Sequence, residues 1–392
     1  MTRAPLSIAY VPLVDAAPVI VAAEMGFAEE EGLDLSLVRA PSWSAVRDWL
    51  AFGAVDAAHL LSPIPVAMAL GLGGVPAAFS ALLVLSVGGC AVGVSRALAD
   101  RIEDAGPVPR FDDAAASGRA LAAAARGRLR IGVPFPFSMH AELLFYWLSA
   151  SGLPAPEGID IRSVPPPHMA DAIASGDIDA FCVGEPWGSR AVETGTARLI
   201  APTTAIWTAA PEKVLAVRTD WAEAEPELTG RLMRAVWKAQ RWLDTGGAAT
   251  TAAEILSRDA YLALPAEMID RALTGHLVVT PDGDTRSVPA FLRFWDGAVP
   301  FPWKSQAAWI GTRMAARLGL DRAEAVAAAE AVFRTDLYRR HLAQAGAPMP
   351  GASSKVEGGI AGRTAVASAT GRLLLAENRF FDDRIFDPTA GN

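Results

Sequence analysis

The sequence is poor in several residue types, and each scarcity removes a class of function. Only two cysteines occur, Cys90 and Cys182, far apart and without metal-site spacing. Neither a disulfide framework nor a thiolate zinc site is expected, and both should be buried free thiols of a reducing compartment. The five histidines (His59, His140, His168, His276, His341) are scattered, none at i, i+4 from another, so no metal centre is expected. There is no G-x-x-x-x-G-K-[ST] loop, no G-x-S-x-G elbow and no H-E-x-x-H pair. With no nucleophile that can be matched to a base, neither an enzyme nor a cofactor is expected. A basic excess is missing too: the formal charge is −8, which argues against a broad nucleic-acid-binding face. The long apolar stretch VPAAFSALLVLSVGGCAVGV (75–94) is broken by Pro and Gly, so it reads as strands and no membrane contact is expected. Lysine is the rarest cation, with only Lys213, Lys238, Lys304 and Lys355 among 35 basic residues.

What is present is the pattern of an α/β protein. Short runs rich in Val, Ile and Leu (7–11, 33–39, 54–61, 79–86, 91–95, 130–134, 159–164, 178–184, 197–201 and 213–218) read as strands. Segments of helical period lie between them at 16–25, 43–52, 63–71, 112–126, 138–151, 167–175 and 186–194. After residue 219 the period is helical with no strand of comparable strength, and the C-terminal stretch is Gly-rich and irregular. The segment 99–118 reads as a loop insertion. Crossings near 92–98 and 202–213 would divide 392 residues into one lobe of 1–95 with 208–392 and a second of 96–207. In such a fold a ligand lies between lobes, at carboxyl ends of strands and amino ends of helices.

Several strand-to-helix junctions carry residues suited to that position. PSWSAVRDWL places Ser42 as an N-cap with Trp43 in the first helical turn, and PFPFSMHAELL does the same with Ser138 and His140. IDAFCVGEPW brings Glu185 and Trp187 to a third junction, and APEKV sets Lys213 at the second crossing. Helix amino ends, indoles, one imidazole and one ammonium suit a compact oxyanion; a phosphate would call for a Gly-rich cradle or paired arginines.

These junctions resemble the nitrate- and bicarbonate-binding branch of ABC-transporter substrate-binding proteins, and within it the cytoplasmic nitrate/nitrite sensors of the NasS type. The stretches that carry the likeness include YVPLVDAAP (10–18), PPPHMADAIASGDIDAFCVGEPW (165–187), IWTAAPEKVLAV (206–217), PMPGASSKVEGG (348–359) and FFDDRIFDP (380–388). The resemblance implies a type II periplasmic-binding-protein fold, two α/β lobes around a ligand cleft. Trp43, His140 and Lys213 match the family's pocket. Gly88 and Gly89 stand where an amide side chain is expected, and Ala45 replaces a glycine, leaving backbone N–H groups at these positions. It also implies a protein that holds an RNA-binding ANTAR-type antiterminator (NasT-like) and releases it when nitrate or nitrite binds, with no nucleic acid bound directly. The chain runs from Met1 within a few residues into its first strand, so a cytoplasmic protein is expected. An ABC-transporter component for nitrate, bicarbonate or a related solute is the alternative.

Overall fold

The computed structural model describes residues 3–296, 298–369 and 371–390. Two sheets are built from the short strand Leu292–Arg293 and ten others: β1 (Ala4–Tyr10), β2 (Leu33–Arg39), β3 (Ala57–Leu61), β4 (Phe79–Gly88), β5 (Cys90–Ser95), β6 (Leu129–Val133), β7 (Ile159–Ser163), β8 (Ala180–Gly184), β9 (Ala197–Pro202) and β10 (Pro211–Arg218). The first sheet runs in the order Leu292–Arg293, β4, β10, β3, β1, β2, and the second in the order β7, β6, β8, β5, β9. Within each, β-α-β pairing is parallel, β1 with β2 and β3, and β6 with β7 and β8. The strands that arrive by crossing, β10 and β5, run antiparallel to their neighbours. Two α/β lobes result.

Burial follows the sequence pattern. All ten residues of FSALLVLSVG in β4 are buried, as a near-continuous apolar run requires when both faces are covered. The edge strand LDLSLVR of β2 instead alternates, with Asp34 and Ser36 more exposed than Leu33 and Leu35. Among the described residues, no helix is long and apolar enough to cross a membrane.

The first crossing falls at Gly88–Gly89, before the position expected near 92–98, so β5 joins the second sheet and the expected lobe boundary at 95 lies one strand too late. Both glycines are left-handed, with φ of 73° and 87°. A Cβ on Gly88 would lie 2.3 Å from the Phe291 carbonyl oxygen and 2.6 Å from Thr204 Cγ2. Glycine is therefore required here by backbone geometry and space. The second crossing runs from the end of β9 at Pro202 to Pro211, inside the expected interval.

Two local expectations are corrected. The supposed loop at 99–118 begins inside a helix, Arg96–Ala105, capped by Ser95 Oγ on the Leu98 N–H; Leu98, Ala99 and Ile102 face inward at helical spacing, but the GPVP stretch at 106–109 makes the segment read as a loop. The helical C-terminal part also holds short strands, His276–Val278 with Thr285–Ser287, Leu292–Arg293 on the first sheet, and the pair Thr364–Ser368 and Gly371–Leu375. The terminal segment then returns over the second lobe. Phe380 packs on Trp207, Trp309 and Tyr146, and Tyr146 donates its hydroxyl to Asp382 Oδ1 at 2.6 Å. In the helix Lys304–Leu318, Arg317 pairs with Glu142 and Arg313 lies over the Tyr146 ring.

Candidate functional site

Charged side chains meet between the two sheets. Lys213 on β10 stands opposite Leu61 of β3 and Ser86 of β4. Consecutive strand residues ordinarily point to opposite faces, but the β10–β4 register is irregular on both sides of Lys213. The ends of Glu212 and Lys213 consequently meet, with Nζ 3.1 Å from Oε1. The ammonium is 2.7 Å from Asp15 Oδ2 and 5.5 Å from the Trp43 ring centroid. Asp15 Oδ1 lies 3.1 Å from His59 Nε2. On the other side, Glu212 Oε1 lies 3.1 Å from His140 Nδ1, and His140 Nε2 is 3.1 Å from Cys90 Sγ. A polar chain thus runs Cys90, His140, Glu212, Lys213, Asp15, His59, and no member is more than 1% exposed.

Both lobes contribute. Asp15 sits in the turn Val14–Ala16 that leads into the helix Ala17–Glu24, and His59, Glu212 and Lys213 come from the first sheet. Cys90 is on β5 and His140 in the first turn of the helix Met139–Ala150, which follows β6. The caps are those expected. Ser42 Oγ accepts the Ala45 N–H at 3.3 Å and Ser138 Oγ accepts the Ala141 N–H at 3.2 Å, each typically worth about 1 kcal/mol.

Burial alone would raise Asp15, but the charge of Lys213 and the contact with His59 hold its carboxyl at about 2. Burial opposes the Lys213 charge, yet Asp15 and Glu212 keep the ammonium well above its ordinary value. Glu212 is pushed up by burial against the pull of Lys213, and Asp15 adds to the rise. Burial drives His140 well below the usual histidine range and lowers His59, so both are neutral. It also raises both thiols, and Cys90 and Cys182 are free and buried as expected.

Cys90, His140 and Glu212 bring one donor atom each within 4.8 Å of one another, a grouping that the scattered histidines did not suggest. His140 turns Nε2 to the thiol and Nδ1 to the carboxylate. The lone pairs of those two nitrogens diverge, so a single ion could not use the ring and both neighbours in this pose. A neutral ring whose Nε2 accepts from the Cys90 thiol suits the first contact, while Nδ1 lies 3.1 Å from Glu212 Oε1 without an aligned hydrogen bond.

Of the residues expected at the site, Trp43, His140 and Lys213 are brought together. Gly88 and Gly89 are not donors to a ligand: their N–H groups bond the carbonyls of Ala210 at 3.4 Å and Phe291 at 2.7 Å. The Ala45 N–H is likewise committed to its cap. Trp187 spends its indole N–H on the Pro12 carbonyl at 2.7 Å, tying the second lobe to the first. Glu185 is wholly buried; Oε2 accepts the Ser189 N–H, and burial lifts its carboxyl to about 7. Sequence reasoning missed Asp15, His59, Glu212 and Cys90. Glu212 could have been noticed beside Lys213, and Asp15 within YVPLVDAAP, but only the fold brings His59 and Cys90 to them.

Two α/β lobes joined by paired crossings, with a buried cation and indole between them, define the fold shared by solute-binding proteins of the periplasmic type. The chain belongs to the NMT1-like family, whose model matches residues 2–257. It is 34% identical over 350 residues to the nitrate/nitrite binding protein NrtA of Synechococcus elongatus, covering 85% of this chain and 76% of that protein. Over 312 residues it is 31% identical to the nitrate import ATP-binding protein NrtC of Synechocystis, spanning 79% of this chain but only 45% of that one. The bicarbonate-binding protein CmpA of Synechococcus is 28% identical over 318 residues, which cover 78% of this chain and 69% of it. Among solved structures, the periplasmic nitrate-binding protein NrtA of Synechocystis PCC 6803 superposes with a TM-score of 0.83 at 27% identity, covering 98% and 96% of the two chains.

Proposed function

We propose that this protein binds a small univalent oxyanion of the nitrate, nitrite or bicarbonate type between its lobes, as the substrate-binding component of an ABC transporter. One observation carries the reading. Around the Lys213 ammonium, beside carboxylate oxygens of Asp15 and Glu212 that make no aligned hydrogen bond, buried groups able to donate are left without partners, among them Trp43 Nε1, which can only donate, and the Ser86 hydroxyl. An acceptor oxygen beside Lys213 answers that deficit, and the indole offers a flat face to a planar ion. The relatives' names, all for binding or import of such ions, favour capture for transport.

The finer reading from the sequence resemblance, a cytoplasmic sensor that holds an ANTAR-type antiterminator and releases it on nitrate or nitrite, is the second proposal. It rests on the sequence resemblance alone; the pairing of CVGEPW with APEKV marks the nitrate- and bicarbonate-binding branch as a whole and is common to both proposals. A ligand can drive such a release only through different affinity for two lobe arrangements. Thermal-shift and calorimetric titrations with sodium nitrate, nitrite and bicarbonate test the first proposal. Saturable binding lost in Lys213→Ala is expected, and no binding of any of the three removes it. A complex with the antiterminator that dissociates on adding nitrate would decide for the sensor; an unchanged complex would decide against it.

A further inference from the structure

The charges enclosed around Lys213 do not balance. Asp15 and Glu212 both face its one ammonium, at 2.7 and 3.1 Å. The remaining titratable neighbours are His59 on β3, His140 on its helix, Cys90 on β5 and Cys182 on β8, and burial keeps all four neutral. With Glu212 ionised in the empty site, the enclosed sum is one negative charge before any ligand arrives. Seating a univalent anion there would double it, in a place where water cannot screen the repulsion.

Building on the anion-binding reading above, we infer that the site takes its anion together with one proton, which is accepted by Glu212 beside His140. Two features select Glu212 over Asp15. Each Asp15 oxygen has an ion-pair contact, with Lys213 at 2.7 Å and with His59 at 3.1 Å, though neither makes an aligned hydrogen bond, whereas Glu212 Oε2 is buried with neither kind of contact. Burial and the neighbouring Asp15 favour a neutral Glu212, while Asp15 stays ionised. A solvent proton bonds to Glu212, no group is oxidised or reduced, and the ammonium is freed from its second carboxylate to face the anion. Closed and loaded, the pocket then carries the same net charge as closed and empty.

The test is calorimetric titration of the wild-type protein with sodium nitrate, an anion that stays ionised throughout, in HEPES and in Tris at pH 8 with EDTA present. The difference in heat between buffers should report about one proton taken up per nitrate, and affinity should fall about tenfold per pH unit from pH 8 to 9. In Glu212→Gln the uptake should vanish and affinity should no longer change with pH. Saturable binding with equal heats in both buffers and no pH slope overturns proton coupling while leaving anion binding intact. Binding that appears only when calcium or zinc replaces EDTA also overturns it, since a metal ion then supplies the missing charge. Absence of heat with nitrate, nitrite and bicarbonate alike fails the underlying anion-binding reading.

Discussion

Replacing Lys213 by methionine keeps the bulk of the stem and withdraws the ammonium from between Asp15 and Glu212. In the wild-type protein burial works against the Asp15 charge and Lys213 overcomes it, holding the carboxyl at about 2 against an ordinary 3.8. That depression contributes about 2.5 kcal/mol of stability, present above the ordinary value and lost as pH falls toward the folded one. Without the lysine both carboxylates are buried without a counter-charge, and removing one partner of such a group costs about 3–5 kcal/mol. A chain of 392 residues unfolds with an entropy of about 0.8 kcal/mol per degree, so the melting temperature at pH 8 should drop by about 4–6 °C. Toward pH 5 the stranded carboxyls of the variant take up protons, and the gap to wild type should narrow. Titration of Glu185 is common to both proteins and cancels in the difference. Scanning calorimetry of the pair at pH 5, 6.5 and 8 reads this directly. Equal melting temperatures at pH 8, or a gap that stays constant down to pH 5, would refute the buried-charge account.

Other substitutions probe the frame around the site. Gly88→Ala forces a Cβ against the Phe291 carbonyl at a left-handed position and should cost about 3 kcal/mol or more in urea unfolding, while Gly362→Ala, with open space around it, should cost little. Glu185, raised by burial to about 7, contributes stability that is complete below pH 4.5 and lost as pH rises through 7. Glu185→Gln should therefore gain about 3 kcal/mol on wild type between pH 4.5 and pH 8, and a pH-independent difference would contradict this. Trp187→Phe removes the indole bond to Pro12 and should lower stability by about 1 kcal/mol by the same unfolding measurement. Cys90 and Cys182 should resist a thiol reagent such as DTNB until the protein unfolds; prompt labelling of the native protein would contradict their burial.

The sequence made the alternation of strands and helices readable because buried runs such as FSALLVLS contrast sharply with the Ala-rich segments between them. Ser42 and Ser138 marked two helix starts through local chemistry alone. The helix Arg96–Ala105 escaped notice because a Gly- and Pro-containing stretch, 106–109, follows it, although Leu98, Ala99 and Ile102 keep helical spacing. At the site, Trp43, His140 and Lys213 stood out by type and position at junctions. Asp15 did not, since nothing local reveals that it lies 2.7 Å from an ammonium brought in by the fold. Nor did Glu212, because neighbours on a strand ordinarily point to opposite faces and its contact with Lys213 depends on the irregular register with β4. The glycines at 88 and 89 were misread for a related reason: their role depends on Phe291, Thr204 and Leu292, which approach from remote stretches of chain.

The helix that offers His140 in its first turn carries Tyr146 further along, gripped from behind by Phe380, Phe381, Asp382 and the helix of Trp309 and Arg313. The posture of an imidazole facing the interior is thus braced by side chains near residue 380. Trimming that brace would leave every pocket residue in place along the chain and still loosen the angle at which one wall of the chamber meets the other.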